Sequence, residues 1–216
     1  MIKIAPSVLA ADFGYMADAV KALGEWKADM VHLDVMDGSF VPPITFGSQM
    51  VAAIRKETDL YLDAHLMIVN PEKQIESFAK AGADNITFHA ETVEDLPAMI
   101  QMIKSHGMDA SVSIKPQTPI SAIEAILGDV SMVLIMTVEP GYGGQAMIPE
   151  TVAKVKELRE LIENKGLNVD IQVDGGINLD TIHQVLEAGA NVIVAGSAVF
   201  KAEKPAEVIR KLRGQP

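Results

Sequence analysis

Two histidines and two aspartates at the ends of apolar runs are the residues of this sequence best suited to chemistry. His32 and Asp34 lie two apart in Val31-His32-Leu33-Asp34-Val35, so in an extended strand both side chains point to one face. His65 falls in Asp63-Ala64-His65-Leu66-Met67, and Asp174 closes Gln172-Val173-Asp174. Ionisable groups inside apolar strands are costly to bury unless they pair or bind a metal. Brought together, the four offer two nitrogens and two oxygens, a donor set able to hold a divalent ion tetrahedrally. A single strand-end His or Asp is more often a cap or a hydrogen-bonded core residue. Four of them on three strands, with a His-x-Asp pair among them, favour the metal. Asp63 shares the face of His65 and reads as support for a ligand rather than a ligand. Asp37, just before Gly38, reads as a turn residue. His89 ends another apolar run and could touch a substrate or be a satisfied structural histidine. His106 and His183 read as ordinary helix residues.

A second set is rich in glycine. Thr137-Val138-Glu139-Pro140-Gly141-Tyr142-Gly143-Gly144-Gln145, then Gly175-Gly176, then Gly196-Ser197 each follow an apolar run. Glycine lets backbone N–H groups approach an anion closely, and a following helix start adds a favourable dipole. One Gly-Gly pair is ordinary turn chemistry; three such loops on consecutive strands point to a phosphate. Backbone amides do this without clustered Lys or Arg. Met36, Met67 and Met136 also gather at strand ends, where they could be core filling or a polarizable wall beside an anion. The residue types leave those two readings open.

The elements that must position these groups are legible as repeated pattern. Eight short apolar runs, at 2–6, 30–36, 60–67, 85–89, 110–114, 133–138, 169–174 and 192–196, alternate with amphipathic helical stretches. The 216 residues divide into about 27 per unit. Proline marks helix starts at Asn70-Pro71, Thr118-Pro119 and Ile148-Pro149, and Gly82, Gly107, Gly166 and Gly189 mark helix ends. Strand–helix alternation implies parallel strands joined by right-handed crossovers. Eight units suggest a closed (β/α)8 TIM barrel occupying 1–216 as one domain. An open doubly wound sheet would place phosphate glycines after its first strand. Ala5-Pro6-Ser7 stands there instead. In such a barrel functional groups sit at the carboxyl ends of the strands, where all the candidate residues fall.

Composition narrows the class of function. Lys and Arg number 18 against 29 Asp and Glu, a formal charge of −11, so nucleic acid and anionic membranes are poor partners. With 49% hydrophobic residues the chain is not largely disordered, and with no cysteine it has neither disulfides nor thiolate metal sites. The apolar runs are far too short to span a bilayer, and the first residues lack a signal-peptide pattern. A soluble cytoplasmic protein is expected.

Taken in order, Ile4-Ala5-Pro6-Ser7-Val8-Leu9-Ala10-Ala11-Asp12, His32-Leu33-Asp34-Val35-Met36-Asp37-Gly38-Ser39-Phe40-Val41-Pro42 and His65-Leu66-Met67 resemble the ribulose-phosphate 3-epimerase family. Met136 through Gln145, Val173-Asp174-Gly175-Gly176-Ile177 and Ala195-Gly196-Ser197 extend the resemblance over essentially the whole chain. Each fragment is modest alone; their order and spacing are specific. The resemblance implies one divalent ion held by His32, Asp34, His65 and Asp174, with zinc first and ferrous iron, manganese or cobalt able to occupy the same donors. It implies that Asp34 and Asp174 are the two acid/base groups, and that Ser7, His65 and a cushion of Met36, Met67 and Met136 meet the substrate. It places the phosphate on Gly141, Tyr142, Gly143, Gly144, Gly175, Gly176, Gly196 and Ser197. The implied reaction interconverts D-ribulose 5-phosphate and D-xylulose 5-phosphate, in the pentose phosphate pathway, by moving the carbon-3 proton through an enediolate. A homo-oligomer acting on a small ketose phosphate is the expected form.

Two positions depart from the family pattern. Pro43 stands where many relatives carry Asn, which bears on the loop after strand 2, and Glu139 where many bacterial relatives carry Asn, though Glu occurs elsewhere in the family; neither touches a proposed ligand. One alternative activity is epimerisation of a six-carbon substrate, D-allulose 6-phosphate. Phosphosugar decarboxylases and aldolases are disfavoured, because their Asp-x-Lys-x-x-Asp pattern is absent. A non-catalytic phosphosugar-binding barrel is disfavoured by the intact pair of aspartates. The loop after strand 6 is a candidate lid.

Overall fold

Each apolar run becomes a buried strand, because helices cover one side of it and the barrel interior the other. The computed structural model describes residues 1–215. The strands are β1 (Lys3–Pro6), β2 (Met30–Met36), β3 (Tyr61–Met67) and β4 (Asn85–His89). They continue with β5 (Asp109–Ile114), β6 (Met132–Met136), β7 (Asp170–Asp174) and β8 (Val192–Ala195). All neighbours pair in parallel, in the order β1-β8-β7-β6-β5-β4-β3-β2. A parallel bridge between Ser7 and His32 brings β1 against β2 and closes the ring. The (β/α)8 barrel read from the sequence is therefore the fold.

Strand register decides which side chains share the interior. On the β2–β3 ladder His32 lies opposite Asp63, Asp34 opposite His65, and Met36 opposite Met67. On the β6–β7 ladder Met136 lies opposite Asp174. A slip of one residue on β2 would turn His32 and Asp34 out of the barrel, so the site depends on this pairing. The amino-terminal end of the interior is filled by Ala5, Met30, Met132, Val192 and Val194. Above that plug sits a buried polar belt of Asp63, Asn85, Thr87, Ser111 and Gln172, linked by hydrogen bonds.

The helices are α1 (Met16–Glu25), α2 (Ser48–Arg55), α3 (Ile75–Ala81), α4 (Leu96–Ser105), α5 (Glu150–Asn164), α6 (Ile182–Glu187), α7 (Ser197–Phe200) and α8 (Pro205–Leu212). Gly82, Gly107, Gly166 and Gly189 all follow helices with positive φ, as read. The stretch after Thr118-Pro119 departs from expectation. It forms two 3-10 turns, Ile120–Ala122 and Glu124–Asp129, rather than an α-helix. Its buried residues Ile120, Ile123, Ile126 and Leu127 fit three or 3.6 residues per turn equally, so apolar spacing alone does not separate the two kinds of helix here. No helix among the described residues is long and apolar enough to cross a membrane.

Candidate metal centre and active-site cavity

At the carboxyl ends of the strands the four predicted ligands come together. One donor atom from each of His32, Asp34, His65 and Asp174 lies within 4.8 Å of the others. His32 Nε2 stands 3.3 Å from Asp34 Oδ1 and 3.8 Å from Asp174 Oδ2, and His65 Nδ1 stands 3.1 Å from the same Asp34 oxygen. Both rings are fully buried. Among the described residues His32 Nε2 has no hydrogen-bond partner, an expensive condition for a buried nitrogen. A nitrogen without a partner, aimed at two carboxylates and a second imidazole, fits a divalent cation in both donor type and spacing.

The other face of His32 explains its aim. Its Nδ1 lies 2.9 Å from Asp63 Oδ2. Asp63 Oδ2 also accepts from Gln172 Nε2 at 2.8 Å, and Oδ1 accepts from Asn85 Nδ2 at 2.8 Å and Thr87 Oγ1 at 2.7 Å. Burial penalises the Asp63 charge, yet His32 and these donors outweigh it and draw the carboxyl down to about 2. An ionised Asp63 only accepts, so Nδ1 of His32 donates and Nε2 faces the site. The supporting role read for Asp63 is what the geometry provides. Asp37 likewise acts in turns: its carboxylate accepts from the backbone N–H of Ser39, Phe40 and Val69, tying the β2 loop to the end of β3.

The two proposed acid/base groups have opposite electrostatics. Burial works against the charge on Asp34, but His32 and His65 more than offset it and hold the carboxyl well below the usual range. Ser7 Oγ also donates to Asp34 Oδ2 at 2.5 Å. Asp174, whose side chain is 19% exposed, is pushed up to about 6 by burial and by the neighbouring Asp34 charge. Burial also opposes a charge on His32, and the Asp34 and Asp63 carboxylates override it, raising its pKa well above the ordinary value. A bound cation would displace that proton.

A cavity of about 960 Å³ opens above this centre. Asp34, Asp174, Ser7, Met36, Met67 and Met136 form one wall. Gly141, Tyr142, Gly143, Gly144, Gly175, Gly176, Gly196 and Ser197 all lie on the same cavity, so every loop of the glycine set reaches it. Gly176 shows why that loop carries glycine: φ is +68°, and a Cβ there would sit 2.2 Å from the backbone nitrogen of Met147. The requirement is close packing of the β7 loop under the β6 loop, whatever the cavity holds. The methionines satisfy both earlier readings, since Met36, Met67 and Met136 are buried in apolar clusters and also line the cavity. Pro43 lines the cavity too, within reach of Gly141 on the β6 loop. His65 is fully buried behind the cavity wall and presents Nδ1 to Asp34. His89 is fully buried behind His65, with Nε2 of each ring 2.9 Å apart.

Several residues of the site carried no role in the sequence reading. Gln172 lies two before Asp174 and so faces the same interior; that spacing was a usable signal. Glu91, two after His89, accepts from it at 3.1 Å. Lys201 lines the cavity four residues past Ser197, a helical spacing that puts a cation near the glycine loops.

The model of the ribulose-phosphate 3 epimerase family matches residues 3–200. The chain is 47% identical to the ribulose-phosphate 3-epimerase of Bacillus subtilis over 99% of both chains. It is 48% identical to that of Synechocystis over 98% of this chain and 93% of the relative. Among solved structures, a 3-hexulose-6-phosphate synthase superposes with a TM-score of 0.67 at 21% identity, covering 99% of both chains. KGPDC from Streptococcus mutans superposes at 0.73 and 17% identity, over 99% of this chain and 97% of that one. These two likenesses concern the fold alone. The sequence relatives and the family match place this chain in the ribulose-phosphate 3-epimerase family.

Proposed function

We propose that this chain interconverts D-ribulose 5-phosphate and D-xylulose 5-phosphate by inverting carbon 3. The observation that carries the reading is the placement of four metal-type donors within 4.8 Å at the base of a cavity lined by three glycine loops. Removing the carbon-3 proton, next to the carbonyl, leaves an enediolate with charge on the oxygens of carbons 2 and 3. His32, Asp34, His65 and Asp174 would hold a divalent ion, zinc first, and the ion would supply Lewis-acid stabilisation of that charge, worth roughly several kcal/mol.

The remaining work belongs to the chain's own residues. Inversion needs a proton to leave one face and return on the other, so a group is needed on each side. Asp34 on β2 and Asp174 on β7, with β1 and β8 between them, are suited to those places. The Ser7 hydroxyl holds one oxygen of Asp34 and leaves the other for the site. Met36, Met67 and Met136 wall the reacting carbons with soft apolar surface that keeps water away. The loops at Gly141 to Gly144, Gly175-Gly176 and Gly196-Ser197 receive the phosphate through backbone N–H groups and so fix the distance to carbon 3. The β6 loop, closing from above, would protect the enediolate.

The same proposal takes 1–216 as one domain and the enzyme as a cytoplasmic homo-oligomer. A coupled assay on D-ribulose 5-phosphate and D-allulose 6-phosphate, with metal analysis of the same sample, tests it. Turnover of the pentulose with about one divalent ion per chain is expected. Preference for the hexulose would move the assignment to the six-carbon reaction, and metal-rich protein inert on both would leave a binding barrel.

A further inference from the structure

His32 owes its orientation to a carboxylate directly behind it, whereas His65 has no carboxylate on its far side. Behind His65 Nε2 stands a second imidazole, His89 Nε2, at 2.9 Å. Behind His89 Nδ1 stands Glu91 Oε2 at 3.1 Å. The other oxygen, Glu91 Oε1, accepts from the backbone N–H of Lys115 at 2.8 Å and from Thr118 Oγ1 at 2.5 Å. We propose that Glu91, acting through His89, fixes the His65 ring in the form that leaves Nδ1 bare for the metal.

The direction of the chain follows from its one fixed end. A carboxylate only accepts, so His89 Nδ1 carries the hydrogen that points at Glu91. A neutral His89 then has a lone pair on Nε2, and His65 Nε2 must donate to it. A neutral His65 protonated on Nε2 has a bare Nδ1, 3.1 Å from Asp34 Oδ1. Two lone pairs facing each other at that distance call for a positive charge between them: a proton on Nδ1, through which His65 helps keep Asp34 ionised in the metal-free chain, or a metal ion in its place. Burial leaves the rings little freedom to choose otherwise. His65 and His89 are fully buried, and Phe40 covers His89 with ring centroids 4.7 Å apart. Glu91 and His89 are thus positioning residues for a ligand, one imidazole further out than the usual carboxylate–histidine arrangement.

Glu91→Gln inverts the chain without changing its shape. The Lys115 N–H and Thr118 hydroxyl hold the amide oxygen where Oε1 was, so the NH2 group turns to His89. His89 then accepts on Nδ1 and donates from Nε2, and His65 must accept on Nε2, leaving its hydrogen on Nδ1. The inference rests on the metal reading above, so wild-type and variant protein are titrated with cobalt(II) against a chelator. Nitrogen NMR of the metal-free proteins with labelled histidine, at alkaline pH, reports which ring nitrogens carry hydrogen. Expected in wild type is His89 protonated on Nδ1 and bare on Nε2. Expected in Glu91→Gln is the reverse, with cobalt affinity down about 10- to 100-fold. His89→Gln, whose amide can accept from His65 and donate to Glu91, should bind near wild type, while His89→Phe should lose affinity. A wild-type His89 protonated on Nε2 overturns the proposal even if no variant folds. Wild-type affinity in Glu91→Gln, or weakened affinity with the wild-type hydrogen pattern, also overturns it. A wild type that takes up no cobalt would sink this inference together with the metal reading, whereas the other negative results leave that reading standing.

Discussion

The two ends of the cavity are built by opposite means. At the base, ionisable side chains on rigid strands are buried and held from behind by Asp63, Gln172, Asn85 and Thr87. At the rim, glycine loops present backbone, and Tyr142 between the glycines is 62% exposed. A charge-stabilising centre needs fixed donors in a dry setting, where electrostatics are strong. A phosphate that stays chemically unchanged needs only a shaped, donor-rich contact that admits and releases it. Damage at the base should therefore remove chemistry and metal, and damage at the rim should weaken binding.

The largest effect is expected at the proposed acid/base pair. Asp34→Asn and Asp174→Asn should each lower kcat by about 10²- to 10⁴-fold, the usual worth of a positioned acid or base. Either variant should still exchange the carbon-3 proton with deuterated water from one epimer only. Two variants that epimerise near wild-type rates with metal bound would dissolve the assignment.

Next comes ligand removal. His65→Ala should lose metal and activity together, read by metal content after dialysis. Full occupancy in that variant would place His65 outside the ligand set.

A step further out, Asp63→Asn sharpens the comparison, because Asp63 lies outside the candidate donor set and does not line the cavity. Asn85 and Thr87 would hold the amide oxygen, turning an NH2 group against His32 Nδ1. Metal affinity should fall about 10- to 100-fold, with a loss of about 1–3 kcal/mol in stability from the mispaired buried groups. Chemical denaturation and a chelator titration read the two effects separately, and an unchanged affinity would make Asp63 purely structural.

At the rim, Gly143 is the position to test, since nothing lies within 4 Å of a Cβ placed there. Gly143→Val should raise KM about tenfold, equivalent to about 1.4 kcal/mol of binding, while metal content stays full. Loss of metal in that variant would break the separation between the two ends.

A separate effect concerns stability of the metal-free protein against pH. Asp174 sits near 6 when folded against an ordinary 3.8, so the folded chain holds that proton more tightly than the unfolded one. Its destabilising contribution is absent below pH 3.8 and complete above about 6, so this contribution to stability falls as pH rises through that window. Asp174→Asn should remove the slope; parallel wild-type and variant curves would contradict the raised pKa.

The sequence by itself determined the barrel, because eight apolar runs alternating with amphipathic stretches leave few ways to bury both faces of every strand. It also determined which residues could do chemistry. His32, Asp34, His65 and Asp174 stand out by type against apolar neighbours, and Gly175-Gly176 by what they lack. It misjudged the stretch after Thr118-Pro119, which folds as two 3-10 turns although Ile120, Ile123 and Leu127 keep a spacing that an α-helix also uses. It was silent on Lys201, Gln172 and Glu91. Only the tertiary structure decided what stands behind each candidate ligand, Asp63 for His32 and His89 with Glu91 for His65. Asp63 and His89 come from neighbouring strands at a register set by the whole ladder, Glu91 comes from the turn after β4, and local pattern cannot carry a hydrogen bond between residues 109 apart such as Asp63 and Gln172. The aim of an imidazole is fixed by its far nitrogen's partner, and chain folding alone supplies that partner.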